Sequence, residues 1–255
     1  MSKIFVITPV FNEEENVQNL VQGWRDIKAA LPDYEFVFLP VDDGSSDTTV
    51  ATFEQNKGAL NFQILKHEVN RGPGAAFATG FTYVSDKMNP GDLVVTMEGD
   101  NTSRIETLMR MIQRQKNESI DVVLASPFAY GGSIKTDLGF FRLLLSTFAN
   151  VLVKVMLDIR GIHTYSSFFR VYRAESIQAL QKAFGPEIIY CSGFEGMVEM
   201  LAKITHLQLS VSEVPLTLDW ALRKGKSKMK VFKTTMGYFR LFYVLRSTPK
   251  PVGLK

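Results

Sequence analysis

Cysteine is almost missing from this chain. Cys191 is the single one among 255 residues, which excludes an intrachain disulfide framework and fits a reducing, cytosolic setting. No motif surrounds it, so it reads as a small core residue rather than a nucleophile. A charge-free apolar run of about 20 residues, the length a membrane-crossing helix needs, is also missing. The nearest stretch, "LGFFRLLLSTFANVLVKVML" (138–157), carries Arg142 and Lys154. The opening "MSKIFVITPV" turns polar too early for a secretory signal. Repeats, low-complexity tracts and a clear linker are lacking too. Finally, no acidic residue follows Asp219, although the tail is rich in Lys and Arg and interleaved with aromatic residues. Such a tail is either a solvated basic terminus or a surface for phosphates, on a ligand or on anionic lipid.

The bulk numbers exclude disorder. Hydrophobic residues make up 45% and charged residues 22%, as in chains that bury a proper core. The first half then alternates between two periodicities. β-rich apolar runs occupy 3–10, 34–41, 62–68, 92–100 and 121–126. Helical spacing occupies 14–31, 46–57, 74–87 and 104–116, the second helix being capped at Ser46 or Asp47. This alternation predicts an α/β fold with right-handed crossovers and a mostly parallel sheet flanked by helices. The second half is less regular. It predicts a long helix over 138–157, a short strand and helix within "SSFFRVYRAESIQALQKAF", a helix in "GFEGMVEMLAKI" and an edge strand stopped by Pro215.

In parallel sheets, ligands gather at the carboxyl ends of the strands. Four polar clusters follow strands here: "TPVFNE", "VDDGSSD", "HEVNRGPG" and "MEGDNTS". In the second, Asp42 and Asp43 end a strand and Gly44 frees the turn. An Asx turn accounts for one acid; the other is free to accept from a base or ribose. In the third, Arg71 stands beside two glycines at a helix start, the pattern of a phosphate cradle built from N–H groups and the helix dipole, or of ordinary Gly-Pro-Gly turn chemistry. In the fourth, Glu98 and Asp100 flank Gly99. Paired carboxylates at a strand end suit a hard cation, Mg²⁺ or Mn²⁺, with phosphate oxygens completing its shell.

Together, "VITPVFNEEENV", "VDDGSSDTT", "NRGPGAAFATG" and "MEGDNTS" resemble the successive motifs of family-2 glycosyltransferases with the GT-A fold, a mostly parallel, Rossmann-like sheet. Within that family the likeness is to polyprenyl-phosphate sugar synthases of the dolichol-phosphate mannose synthase type. It extends to "FRLLLSTFANVL", "SSFFRVYRAE", "GFEGMVEML" and "RKGKSK". The resemblance implies a catalytic domain over 1–220 and a basic, aromatic segment over 221–255 that could lie on a membrane surface. It places Pro9, Phe11, Asn12, Glu13, Asp42, Asp43, Arg71, Glu98 and Gly99 around the nucleotide sugar. It makes Asp100 and Glu98 the metal ligands, and it implies catalytic roles for Asp100, Arg142, Arg170 and Arg223. Arg142, Ser146, Asn150 and Lys228 would receive the acceptor phosphate. The chain departs from the family pattern at Glu98, where Asp is usual, and at Thr102, His163 and Phe168, the last standing in place of a Gly. These departures bear on the sugar and acceptor more than on the fold.

A phosphate acceptor is favoured by simple chemistry. A sugar hydroxyl needs a general base, whereas a phosphate monoester is already ionised at neutral pH, its second pKa lying near about 6. It needs cations, and Arg142, Ser146, Asn150 and Lys154 recur every four residues as one polar stripe on an apolar helix, which is either a core helix's wet face or a phosphate-holding helix at a membrane surface. The expected activity is therefore inverting, metal-dependent transfer of a sugar from a nucleotide-diphosphate sugar to a polyprenyl phosphate. The expected location is the cytoplasmic face of a membrane, held peripherally or by an anchoring partner. Two alternatives stand: transfer to a saccharide hydroxyl, with Glu195 as base, and nucleotide-sugar binding without turnover. Nucleic acid is excluded as a partner, since the acids at the sheet edge carry the wrong charge.

Overall fold

The computed structural model describes residues 1–135, 161–222, 236, 237, 240 and 241. The expected long helix over 138–157 lies outside the described residues. Strands β1 (Ser2–Val10), β2 (Tyr34–Asp42), β3 (Leu65–Lys66), β4 (Leu93–Thr96), β5 (Val122–Ser126), β7 (Arg170–Arg173) and β8 (Val211–Pro215) form one sheet in the order β3-β2-β1-β4-β7-β5-β8. β7 runs antiparallel to both of its neighbours, β4 and β5; the other pairs are parallel. A small parallel pair, β6 (Ser133–Ile134) with β9 (Thr217–Leu218), stands beside it. Helices α1 (Glu14–Ala30), α2 (Thr49–Asn56), α3 (Pro73–Val84), α4 (Ile105–Glu118), α5 (Ala174–Phe184) and α6 (Gly196–His206) cover the sheet.

The central strands are apolar almost throughout because both of their faces are buried. On one face, Trp24 of α1 stacks on Phe38 of β2 at 4.8 Å and on Phe53 of α2 at 5.6 Å. On the other, Phe77 and Phe81 of α3 pack with Tyr172 of β7 and with the apolar sides of α5 and α6. The third expected strand shrinks to two paired residues at the sheet edge, and Phe62 keeps only a lone bridge to Phe38.

Register places the chemistry. Val10 lies opposite Asp42, and Ile7 lies opposite Thr96. The loops leaving β1, β2 and β4 therefore emerge level with one another. Gly99 reflects this crowding: a Cβ there would sit 2.7 Å from the Pro9 carbonyl oxygen. Near the C-terminus, Leu241 is buried among Ile162, Tyr165, Cys191, Val198 and Leu201, so part of the 221–255 segment packs on the domain.

Candidate active site

The first three loops are stitched to one another by side chains bonding to backbone. Asn12 adopts a left-handed conformation, with φ of 51°. Its N–H donates to Ser45 Oγ at 2.8 Å, and its Oδ1 accepts from Ser46 N–H at 2.8 Å. The Glu13 N–H donates to Thr49 Oγ1 at 2.8 Å. Asn16 donates to Glu13 Oε2 at 2.6 Å, and Asn101 donates to Asn16 Oδ1 at 3.1 Å. A chain of contacts thus runs from the loop after β1 to the loop after β4. Asn16 and Asn101 were not among the expected site residues. Asn16 is a buried polar side chain inside an amphipathic helix, and that mismatch was its only signal in the sequence.

Pro9 and Phe11 are half-buried at the end of β1, Glu13 is buried beside them, and Asp42 is buried at the end of β2. The Asp42 carboxylate accepts weakly from Ser45 N–H, at 3.3 Å. Asp43 is occupied more fully. Its Oδ1 accepts from Arg71 N–H at 2.9 Å and lies 2.7 Å from His67 Nδ1, while its Oδ2 accepts from Gly72 N–H at 2.7 Å. This revises the reading of the Gly-Pro-Gly stretch. The donors at the start of α3 do face an anion, but that anion is the protein's own carboxylate. A further donor of this first turn, Ala75 N–H, goes to the Ser192 carbonyl at 3.2 Å. Gly72 (φ 102°) and Gly74 are needed because the backbone at 191–193 presses where a Cβ would stand. Arg71 is exposed and lines a separate cleft of about 290 Å³ with Thr79, Tyr83 and Glu187.

Glu98 and Asp100 meet as expected at the end of β4. The Glu98 carboxyl accepts from the Ser103 hydroxyl, and the Glu98 N–H donates to Ser103 Oγ at 3.2 Å. Burial, and secondarily the Asp100 charge, push the Glu98 carboxyl up to about 7. The Ser103 hydroxyl and the N–H groups of Glu98 and Phe168 pull the other way. Asp100 Oδ1 accepts from Thr102 Oγ1 at 2.6 Å. No third His, Cys, Asp or Glu joins them among the described residues. Two hard oxygen donors, one of them pushed up toward neutral pH by burial first and by the other's charge second, fit a divalent cation, which would relieve the repulsion between them. Its remaining ligands would be water or phosphate oxygens.

Arg170 departs from its expected catalytic place. It is fully buried, and its guanidinium donates to the carbonyls of Ser167 (2.7 Å), Met197 (2.9 Å) and Tyr165 (2.8 Å). A guanidinium satisfied on three sides by backbone is a staple between segments, and it is not presented to a ligand. Arg142, Ser146, Asn150, Arg223 and Lys228 lie outside the described residues. His163 pairs with Glu213 at 2.8 Å, so a carboxylate from β8 stands beside the histidine that replaces the family's acid. Glu195 is buried, and its Oε1 accepts from Gly193 N–H at 3.3 Å. Deeper in, Glu199 accepts from the N–H groups of Tyr190 and Cys191 and from Lys203 Nζ, the last at 2.6 Å.

The profile described as "Glycosyl transferase family 2" matches residues 5–181. The chain is 29% identical over 244 residues to a dolichol-phosphate mannosyltransferase of Pyrococcus furiosus, covering 95% of this chain and 63% of that protein. It therefore spans less than two thirds of that relative's length. Among solved structures, it resembles the Mycobacterium tuberculosis glucosyl-3-phosphoglycerate synthase crystallised with Mn²⁺, UDP and glucosyl-3-phosphoglycerate. That match has a TM-score of 0.66 and 15% identity, covering 97% of this chain and 81% of the other. It also resembles the mannosyl-3-phosphoglycerate synthase of Rubrobacter xylanophilus, with a TM-score of 0.67 and 15% identity, covering 95% and 73%. At those identities the likeness is one of fold.

Proposed function

The chain belongs to glycosyl transferase family 2 and has the GT-A fold, and from that premise we propose that it moves a sugar from a nucleotide-diphosphate sugar to a polyprenyl phosphate. The observation that carries the donor half is the pairing of Glu98 with Asp100 where the loops after β1, β2 and β4 converge. A cation held by these two acids would supply Lewis-acid neutralisation of the diphosphate. The chain's own residues bind and orient. The stitched loop residues Asn12, Glu13 and Asp42 bound the space for the nucleoside, and their bonds to Ser45, Ser46 and Thr49 keep that space rigid before the donor arrives. Preorganisation of this kind carries much of the rate when the chemistry is a displacement between charged groups.

The acceptor half rests on two supports. The dolichol-phosphate mannosyltransferase relative aligns with nearly the whole chain. The base that a saccharide hydroxyl would require is poorly served, since Glu195 is buried and turned toward Gly193 N–H. An ionised phosphate needs no such base. The attacking phosphate oxygen would form a bond to the anomeric carbon as the bond to the nucleoside diphosphate breaks, with inversion. No helix among the described residues is long and apolar enough to cross a membrane. The lipid acceptor would then be met at a membrane surface, with Arg142, Ser146, Asn150, Arg223 and Lys228 as the proposed phosphate-facing groups.

The test is release of nucleoside diphosphate from a panel of nucleotide sugars with Mg²⁺ or Mn²⁺. Three arms are needed: no acceptor, a short polyprenyl phosphate, and 3-phosphoglycerate. Release that depends on the lipid phosphate supports the reading. Release only with phosphoglycerate moves the acceptor to a soluble phosphate. Nucleotide binding with no release in any arm overturns transfer to either.

A further inference from the structure

Beside Glu98 stands an aromatic pair that the reading above does not use. Phe168 and Phe194 stack face to face, with centroids 5.3 Å apart and ring planes at 15°. Phe77 of α3 meets Phe168 edge-on at 5.1 Å and 76°, which locks the ring nearer the sheet. The backbone at Phe168 is pinned as well. Its carbonyl accepts from Thr96 Oγ1 at 2.6 Å, and its N–H bonds the Glu98 carboxylate. Phe168 precedes β7, which is antiparallel to β4, so it emerges at the same sheet edge as Glu98. Both rings remain partly exposed. An apolar core would have buried them; here the sides that meet in the stack cover each other, and the pair offers its outer face and ring edges near the Glu98 carboxylate that Phe168 N–H bonds.

We propose that Phe168 and Phe194 form a wall of the donor-sugar subsite, against which the apolar C–H face of the hexose packs while its hydroxyls reach Glu98. The inference rests on the glycosyltransferase reading and deepens it by assigning specificity-determining residues. A sugar ring offers alternating faces of C–H and O–H groups. A flat aromatic surface beside a single acceptor is complementary to that arrangement, and a Gly at position 168 could not supply it. The wall selects sugars with an uninterrupted C–H face and leaves the nucleoside diphosphate, held by the loops after β1 and β2, untouched.

The experiment compares binding of nucleotide sugars with that of the matching free nucleoside diphosphates, with Mn²⁺ present, for wild type, Phe168→Gly, Phe194→Ala and Phe194→Tyr. The preferred donor is the one that binds wild type best. The expected result is that Phe168→Gly and Phe194→Ala each weaken that donor by roughly three- to tenfold, the size of one aromatic contact, while nucleoside diphosphate affinity stays within about twofold. Phe194→Tyr retains the wall and restores donor binding. Equal weakening of donor and nucleoside diphosphate makes the pair a structural prop and overturns the proposal. So does an unchanged donor affinity with a raised KM for acceptor, which would assign the wall to the other substrate. Failure of wild type to bind any nucleotide would sink the glycosyltransferase reading itself, and this proposal with it. Circular dichroism and the unfolding midpoint of each variant separate a lost wall from a lost fold.

Discussion

Asp43 Oδ1 lies 2.7 Å from His67 Nδ1, with both side chains 5% exposed, and His67 Nε2 lies 2.9 Å from Thr79 Oγ1. The acid at the end of β2 is thereby tied to the loop before α3 and to α3 itself. Because the same carboxylate also accepts from Arg71 and Gly72 N–H, removing it orphans two backbone donors together. Asp43→Ala is expected to destabilise the protein by about 2–4 kcal/mol. It should also speed amide exchange at Arg71 and Gly72 well before global unfolding. Unchanged exchange at those two amides would show that the loop holds its shape without Asp43.

Glu98 makes stability depend on pH when no metal is bound. Its carboxyl titrates at about 7 in the folded chain against 4.5 in the reference state, so the folded form binds the extra proton between those values. Stability must then fall as pH rises from about 4.5 to 7, and at higher pH the full cost, on the order of 3 kcal/mol, is reached. Chemical denaturation at pH 5 and pH 8 in EDTA should show this loss. Glu98→Gln should flatten it. Mg²⁺ or Mn²⁺ should recover more stability at pH 8 than at pH 5, and an equal effect at both would contradict the cation assignment.

Asp100→Ala is expected to abolish metal-dependent transfer while shifting the unfolding midpoint little, since the side chain is only partly buried and its removal also relieves the charge facing Glu98. Activity within about twofold of wild type would remove Asp100 from the metal site. The check includes metal affinity by titration, which reads the site without turnover.

Arg170→Met separates two roles that the sequence left joined. As a buried staple to three carbonyls, Arg170 should cost about 3–5 kcal/mol when lost, because the Ser167, Met197 and Tyr165 oxygens each lose a charged donor. The protein that remains folded should keep nucleotide affinity within a few-fold. A stable variant that has lost only kcat would return Arg170 to the reacting groups.

Cys191 should resist alkylation. It is buried, and burial foremost, then the Glu199 charge, pushes its thiol well above the usual thiol range. Iodoacetamide at pH 8 should label it only under conditions that open the segment around α6. Rapid labelling of the native protein would mean that this segment opens readily.

Much of the fold could be read along the chain. β1, α1, β2, α4 and β5 appear within a few residues of the places that period-two and helical spacing indicate, because burial of a strand or a helix face is written in the local order of apolar side chains. The convergence of the loops after β1, β2 and β4 was readable for a related reason: parallel strands must present their carboxyl ends at one edge. The pairing of Glu98 with Asp100 needed only a single intervening glycine.

The sharing-out of partners was not readable. A Gly-Pro-Gly turn exposes the same N–H groups whether a phosphate or Asp43 accepts from them, and Asp43 reaches them only because β2 and β3 lie side by side. Arg170 carries its charge in any setting, yet the packing of α6 and the 165–167 backbone surrounds it with carbonyls. Phe168 and Phe194 lie far apart in the chain and become one surface only where β7 and the start of α6 meet. Local order sets which groups are buried; which donor meets which acceptor depends on distances of about 3 Å between distant segments, and only the folded chain sets those.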